Sequence, residues 1–263
     1  MRAARLLVSV LLLATTTHAA ADWRPVASSM PEVSSSEVTY ARQRLERASD
    51  GQRIDVHLAF FGSPGFRLEV IDLGAGEAPT HPTLDAAFRA AGCIAGVNGG
   101  FFHPDWRPAG LMIADGTRIN RVETAKLLSG IIYSDARGTH LVRRARFEDQ
   151  PDILALLQSG PYLVEDGRAV RGLSRSDPAA RTFIATDWRG HWVLGATASA
   201  LTLAELAEIL ATPRALTPWP VERALNLDGG SSTGFFFDRG PDRAPISMQP
   251  WKRVRNLIGI VPR

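Results

Sequence analysis

Cysteine occurs once in the 263 residues, at Cys93, and lysine only twice, at Lys126 and Lys252. A single thiol forms no intrachain disulfide, so a chain of this size is held together by burial. The neighbours of Cys93 in Ala91-Gly92-Cys93-Ile94-Ala95-Gly96-Val97 are apolar. That setting marks a small buried hydrophobe, because a reactive thiolate needs electropositive surroundings. Nearly all cationic side chains are arginine: 30 Lys+Arg less two lysines leaves 28. The formal net charge is only +3, and the run Arg143-Arg144-Ala145-Arg146 reads as a solvated strand end. The charge balance therefore argues against a nucleic-acid partner.

Several signatures are missing. There is no histidine pair at zinc spacing, no glycine-rich loop leading into Lys-Ser/Thr and no dinucleotide fingerprint. Ser231 and Ser232 lie beside glycines but outside a Gly-x-Ser-x-Gly elbow. Metalloprotease, nucleotide hydrolase, dehydrogenase and serine hydrolase readings all lose support. No apolar run reaches the roughly 20 residues of a membrane span. The stretch 6–14 is shorter, follows Arg2 and Arg5, and leads to His18-Ala19-Ala20-Ala21, the arrangement of a signal peptide. We therefore expect a leader over 1–20, a mobile Ser- and Pro-containing arm over 21–38, and a single folded domain over 39–263. The protein is expected to be exported to the periplasm or beyond, with no transmembrane segment in the mature chain.

Hydrophobic residues make up 45% of the chain against 22% charged, enough for a substantial core. Alternation at Ile54-Val56-Leu58-Phe60 and at Phe66-Leu68-Val70, around Gly62-Ser63-Pro64-Gly65, predicts a hairpin. Leu84, Ala87, Phe88 and Ala91 predict a short helix over 83–91, running into a buried strand at 93–97. Strands are predicted at 110–114, 130–134 and 139–142, a brief helix at 151–157 and a strand at 162–164. A second hairpin is predicted from 182–186 and 192–196. Thr202-Leu203-Ala204-Glu205 is a capping box that opens a helix with Leu203, Leu206, Ala207 and Leu210 on its apolar face. The last strands are expected at 224–227, 234–237 and 256–261. Strands outnumber helices, which predicts an α+β domain with a mixed, largely antiparallel sheet and a few short helices.

Two strand ends carry polar residues followed by paired glycines: Asn98-Gly99-Gly100-Phe101-Phe102-His103 and Asn226-Leu227-Asp228-Gly229-Gly230-Ser231-Ser232. Each alone reads as an Asn-Gly or Asp-Gly turn. Two in one domain could converge on a pocket, where glycine lets a ligand approach the backbone and free N–H groups can cradle an anion. Arg181, opening a strand at Thr182, is of the type that grips a phosphate bidentately.

Taken in order, five blocks resemble the phosphodiester glycosidase domain family, which is related to the uncovering enzyme that removes N-acetylglucosamine from a phosphodiester on lysosomal glycans. The blocks are Asn98-Gly99-Gly100-Phe101-Phe102, Gln158-Ser159-Gly160-Pro161, Arg181-Thr182, Asn226 to Ser232, and Val254-Arg255-Asn256, spread over roughly residues 50 to 262. Ser231 stands where the family usually has a third glycine. The resemblance implies an α+β fold that gathers these blocks and hydrolyses a sugar-1-phosphodiester.

On chemical grounds, Asp228 is expected to act as general base on water or as nucleophile at the anomeric carbon. Arg181 would neutralise the departing phosphate, aided by N–H groups of Gly99-Gly100 or Gly229-Gly230. Asn98 and Asn226 would orient sugar hydroxyls, and His103 would donate a proton. Ser159, Thr182, Ser232 and Asn256 complete the expected substrate-binding set. Asp177, Asp105 and Glu123 are spare carboxylates. The sequence requires no cofactor, although Asp228 and Asn98 are hard ligands suited to Ca²⁺ or Mg²⁺. The alternatives are a glycan-binding module without turnover and a phosphodiesterase that cleaves P–O.

Overall fold

The computed structural model describes residues 23–34, 37–76 and 80–263. The leader expected over 1–20 lies outside them. The described residues form three sheets. The large one runs β1 (Trp23–Ser28), β3 (Thr39–Arg47), β4 (Arg53–Gly62), β15 (His191–Thr197), β14 (Thr182–Thr186), β16 (Arg223–Asn226), β12 (Tyr162–Glu165) and β13 (Arg168–Ala169), with β2 (Glu32–Val33) on β3. A second runs β10 (Gly138–Arg143), β9 (Gly130–Asp135), β11 (Ala155–Ser159), β7 (Met112–Ala114) and β8 (Thr117–Arg118). The third runs β18 (Ile246–Met248), β17 (Phe235–Phe237), β6 (Ala95–Asn98), β19 (Asn256–Pro262) and β5 (Phe66–Asp72).

Strand alternation decides which core each side chain joins. Ile184 of β14, Leu194 of β15 and Leu225 of β16 turn inward with Val97, Phe235, Ile258, Met112 and Leu157 from the other two sheets. Their neighbours Phe183, Ala185, Val193 and Ala224 face the opposite way, onto α2 (Leu203–Ala211). The capping box of α2 is formed: the Thr202 hydroxyl accepts from the Glu205 N–H, and the Glu205 carboxylate accepts from the Thr202 N–H. The other helix, α1 (Leu84–Ala90), starts at Thr83 and lays Phe88 on the outer face of the third sheet, stacked 5.3 Å from Phe236. Cys93 is buried in the same cluster, and burial pushes its thiol up to about 12. It is a packed hydrophobe, as its neighbours suggested.

Four expectations are corrected. Every strand pairing among the described residues is antiparallel, and sheet dominates, so the molecule is more β than α+β and the sheets are not mixed. The strands β4 and β5 exist but form no hairpin. The turn between them hands the chain from the large sheet to the third, where β5 pairs β19. Residues 151–157 form no helix. Ala155 to Leu157 lie in β11, which is paired on both sides and buried on both faces, and a short continuous apolar run carries no period that separates helix from strand. Finally, β1 occupies part of the expected arm. Only Trp23 in it is buried, beneath the Arg47 guanidinium at 5.1 Å, so the main-chain ladder with β3 orders it without an alternating apolar signal.

Candidate active site

The five blocks meet where the three sheets adjoin, at the ends of β6, β11, β14, β16 and β19. Asn98 ends β6 and is fully buried. Its amide N–H donates to the main-chain oxygen of Asp228 at 2.7 Å, and its Oδ1 accepts from the Thr182 hydroxyl at 2.7 Å and from the Gly234 N–H at 3.0 Å. The Asp228 N–H returns a bond to the Gly99 oxygen at 3.0 Å. Gly99 N–H and Gly100 N–H donate in turn to the main-chain oxygen and side-chain Oδ1 of Asn256, at 2.9 and 2.7 Å. Ser159 Oγ–H donates to the Asn226 oxygen at 3.1 Å, and the Asn226 amide donates to the Gly160 oxygen at 2.9 Å. Gly230 N–H closes the ring onto the Ala180 oxygen at 2.7 Å.

The glycines are required by close packing. A Cβ on Gly99 would overlap Asn256 Oδ1, and one on Gly229 would fall 2.7 Å from the Ala180 oxygen. Gly230 has φ of +62°, a conformation glycine adopts without penalty. Ser231, where the family's third glycine is expected, has no positive φ and is exposed, so serine fits there. Neither Asn-Gly nor Asp-Gly forms a hairpin turn. Both are crossing points between sheets.

Asp228 stands at the centre. Burial raises its carboxyl above the usual carboxylate range, opposed by the Ser232 hydroxyl, the Lys252 ammonium and the Gly229 N–H, which donates to Oδ1 at 2.9 Å. Asn98 and Thr182, expected to touch substrate, are bonded to each other and to the main chain, and they hold Asp228 in place. Asn226 Oδ1, Asn256 Nδ2 and Thr233 Oγ1 are buried with no hydrogen-bond partner among the described residues. Buried polar atoms of this kind are rare in a settled core and are what a polar ligand would satisfy.

Arg181 is half-buried and points elsewhere. Its Nε–H donates to the Leu201 oxygen at 2.7 Å and its Nη2–H to the Asp177 oxygen at 2.9 Å. Burial lowers its affinity for the proton, and the charges acting on it are Asp177 and Glu205. Ion pairing with Asp228 is absent. His103 lies on the loop after Gly100, with Nε2 buried, free of a hydrogen bond and 3.7 Å from Glu123 Oε1. Glu123 is fixed by Gln158, which accepts from its N–H at 2.9 Å and donates to its oxygen at 2.6 Å. Of the spare carboxylates, Glu123 therefore faces His103. Asp105 binds the Arg107 N–H, and Asp177 accepts from Ser176.

Sequence reasoning passed over Lys252. Its ammonium lies 5.5 Å from the Phe102 ring centroid, and Phe102 stacks on Trp106 at 5.2 Å. The rarity of lysine and the position two residues before Val254-Arg255-Asn256 were the available signals. Among the described residues no group of three or more His, Cys, Asp or Glu is arranged to hold a metal ion. Asn98 Oδ1, one of the two hard ligands considered for Ca²⁺ or Mg²⁺, is occupied by Thr182 and Gly234.

A family model described as phosphodiester glycosidase matches residues 91–261. No curated protein matches the chain. Among solved structures, the zebrafish N-acetylglucosamine-1-phosphodiester alpha-N-acetylglucosaminidase catalytic domain, auto-inhibited by its pro-peptide, superposes with a TM-score of 0.60 at 18% identity. The match covers 90% of this chain and 89% of that one. A hypothetical protein from Synechocystis gives 0.59 at 17% identity over 86% of this chain, which spans 62% of that protein. At these identities the likeness shows a common fold.

Proposed function

The chain belongs to the phosphodiester glycosidase family, and from that premise we propose that it is an exported hydrolase cleaving the glycosidic C–O bond of a sugar-1-phosphodiester of the N-acetylglucosamine-1-phosphate type in envelope or extracellular glycans. The observation that carries this reading is that five separate blocks are hydrogen-bonded into one cluster around the main chain of Asp228, whose half-buried carboxylate accepts from the Gly229 N–H. Export rests on Arg2, Arg5 and the apolar stretch 6–14.

The leaving group lowers the demand on the site. A phosphate monoester, with a second pKa of about 6, departs without full protonation. Asp228 acts at the anomeric carbon, as base on water or as nucleophile. The bond from that carbon to the phosphate oxygen breaks, and water is consumed to give free sugar and a phosphate monoester. His103, with Nε2 3.7 Å from Glu123 Oε1, would supply a proton to the departing oxygen. Asn226 Oδ1 and Asn256 Nδ2 offer an acceptor and a donor to sugar hydroxyls.

The test is sugar release from methylphospho-N-acetylglucosamine in ¹⁸O-water by the purified protein and its Asp228→Asn variant. Release by the wild type with label in the sugar, lost by at least about a thousandfold in the variant, is expected. Label in the phosphate would show P–O cleavage, and unchanged turnover in a folded variant would remove Asp228 from the mechanism. Because burial raises the Asp228 carboxyl, the rate falls on acidification at a pH above the ordinary carboxylate range. The variant, relieved of a buried charge, is at least as stable as the wild type at neutral pH.

A further inference from the structure

Hydrolysis of an anionic diester calls for a cation facing the reacting carboxylate, and the arginine that sequence suggested is engaged elsewhere. The Arg181 guanidinium is bonded to the main-chain oxygens of Leu201 and Asp177. Arg255 is buried, with Nε bonded to the Trp106 oxygen at 2.7 Å and its fork paired with Asp72. Lys252 differs from both. Its N–H, with that of Trp251, donates to the Ser231 oxygen, at 3.2 and 2.8 Å. The segment is thereby pinned to the loop that begins at Asp228. Its ammonium reaches across to the Phe102 ring, on the chain that follows Gly99 and Gly100. Through its main chain and its side chain the residue thus touches both glycine-bearing blocks. It is exposed, and it forms no salt bridge with a described carboxylate. Lys252 is also the one titratable side chain whose charge acts on Asp228.

We propose that Lys252 is the phosphate-recognising residue of this site, its ammonium holding the anionic diester beside Asp228 in the place that an arginine at the strand mouth would have taken. A lysine suits the task as a compact charge on a flexible stem, able to follow the phosphate as it leaves. The Phe102 face beneath it keeps the ammonium over the site without neutralising it. The inference rests on the glycosidase reading for its substrate, but its test does not depend on turnover.

The experiment measures binding of methyl phosphate by calorimetry at low ionic strength, for the wild type, Lys252→Met, Lys252→Arg and Arg181→Lys. The KM for methylphospho-N-acetylglucosamine is measured in parallel. Lys252→Met is expected to weaken methyl phosphate binding about tenfold or more and to raise KM by a similar factor, with Lys252→Arg recovering most of the loss. Arg181→Lys should leave the affinity within about twofold. If Lys252 acts only on the ionisation of Asp228, the acid limb of kcat moves while methyl phosphate affinity stays the same, which overturns the proposal. Loss of affinity in Arg181→Lys with none in Lys252→Met returns the role to Arg181. A wild type that releases sugar but binds no methyl phosphate sinks this inference and leaves the glycosidase reading standing. A wild type that binds methyl phosphate through Lys252 but releases no sugar does the reverse.

Discussion

Asn98 does not take the role that its place beside two glycines suggested. A polar residue at a strand end beside two glycines looks like a ligand contact, and Asn98 is chemically capable of one. Burial and three hydrogen bonds make it instead the pin that holds the Asp228 loop against β6 and β14. Replacing Asn98 with Ala would strand the Thr182 hydroxyl and the Gly234 N–H in the interior. Unfolding in urea should show a loss of about 2–4 kcal/mol from those unmet groups. A substrate-orienting role would leave stability unchanged and raise KM. Types and positions of the site residues were legible because the chain carries them in five spaced blocks. Which amide is fully tied up inside the fold was not, since an amide's partners come from other blocks. Asn226 and Asn256 keep one unpartnered atom each, whereas Asn98 keeps none.

The elements divide in the same way. α2 was readable in full because its signals are local: a hydroxyl and a carboxylate three residues apart, then apolar residues on one stripe. Thr202→Ala removes the acceptor for the Glu205 N–H and should cost about 1 kcal/mol, visible as a lower thermal midpoint with activity per folded molecule unchanged. The hairpin of β14 and β15 was legible for a similar reason, its ladder running without a break from Thr182–Ala196 to Thr186–Trp192. For β4 and β5 the same reasoning misleads. Two alternating strands around a Gly-Ser-Pro-Gly turn satisfy every local criterion for pairing, yet β4 takes β3 and β15 as neighbours and β5 takes β19. Alternation fixes which face of a strand is apolar and leaves open which sheet that face will meet. In β11, buried on both faces, even the period is lost.

At the scale of the whole molecule, antiparallel ladders carry the architecture and arginine–carboxylate pairs tie their outer surfaces. Asp55 on β4 binds Arg44 through both oxygens and Arg42 through one, and these guanidinium groups lower its carboxyl to about 2. The contribution of a carboxyl lowered in this way is fully present above its unfolded value of about 3.9 and is lost as pH falls through its folded value. Stability measured by thermal melts should therefore decline between about pH 4 and pH 2. Asp55→Asn should flatten that decline and lower the plateau above it only slightly, since the partners are largely exposed. The sequence by itself determined the strand-rich character, most strand positions, both helices, the buried thiol and the five blocks, because periodicity, capping and side-chain chemistry act over a few residues. Tertiary structure alone decided that the described residues split into three antiparallel sheets, that segment 23–28 pairs with β3, and that Arg181 bonds the Leu201 and Asp177 oxygens while the Lys252 ammonium lies by the Phe102 ring. Each of those outcomes depends on partners distant in sequence, and on which of several chemically adequate groups the packing leaves free.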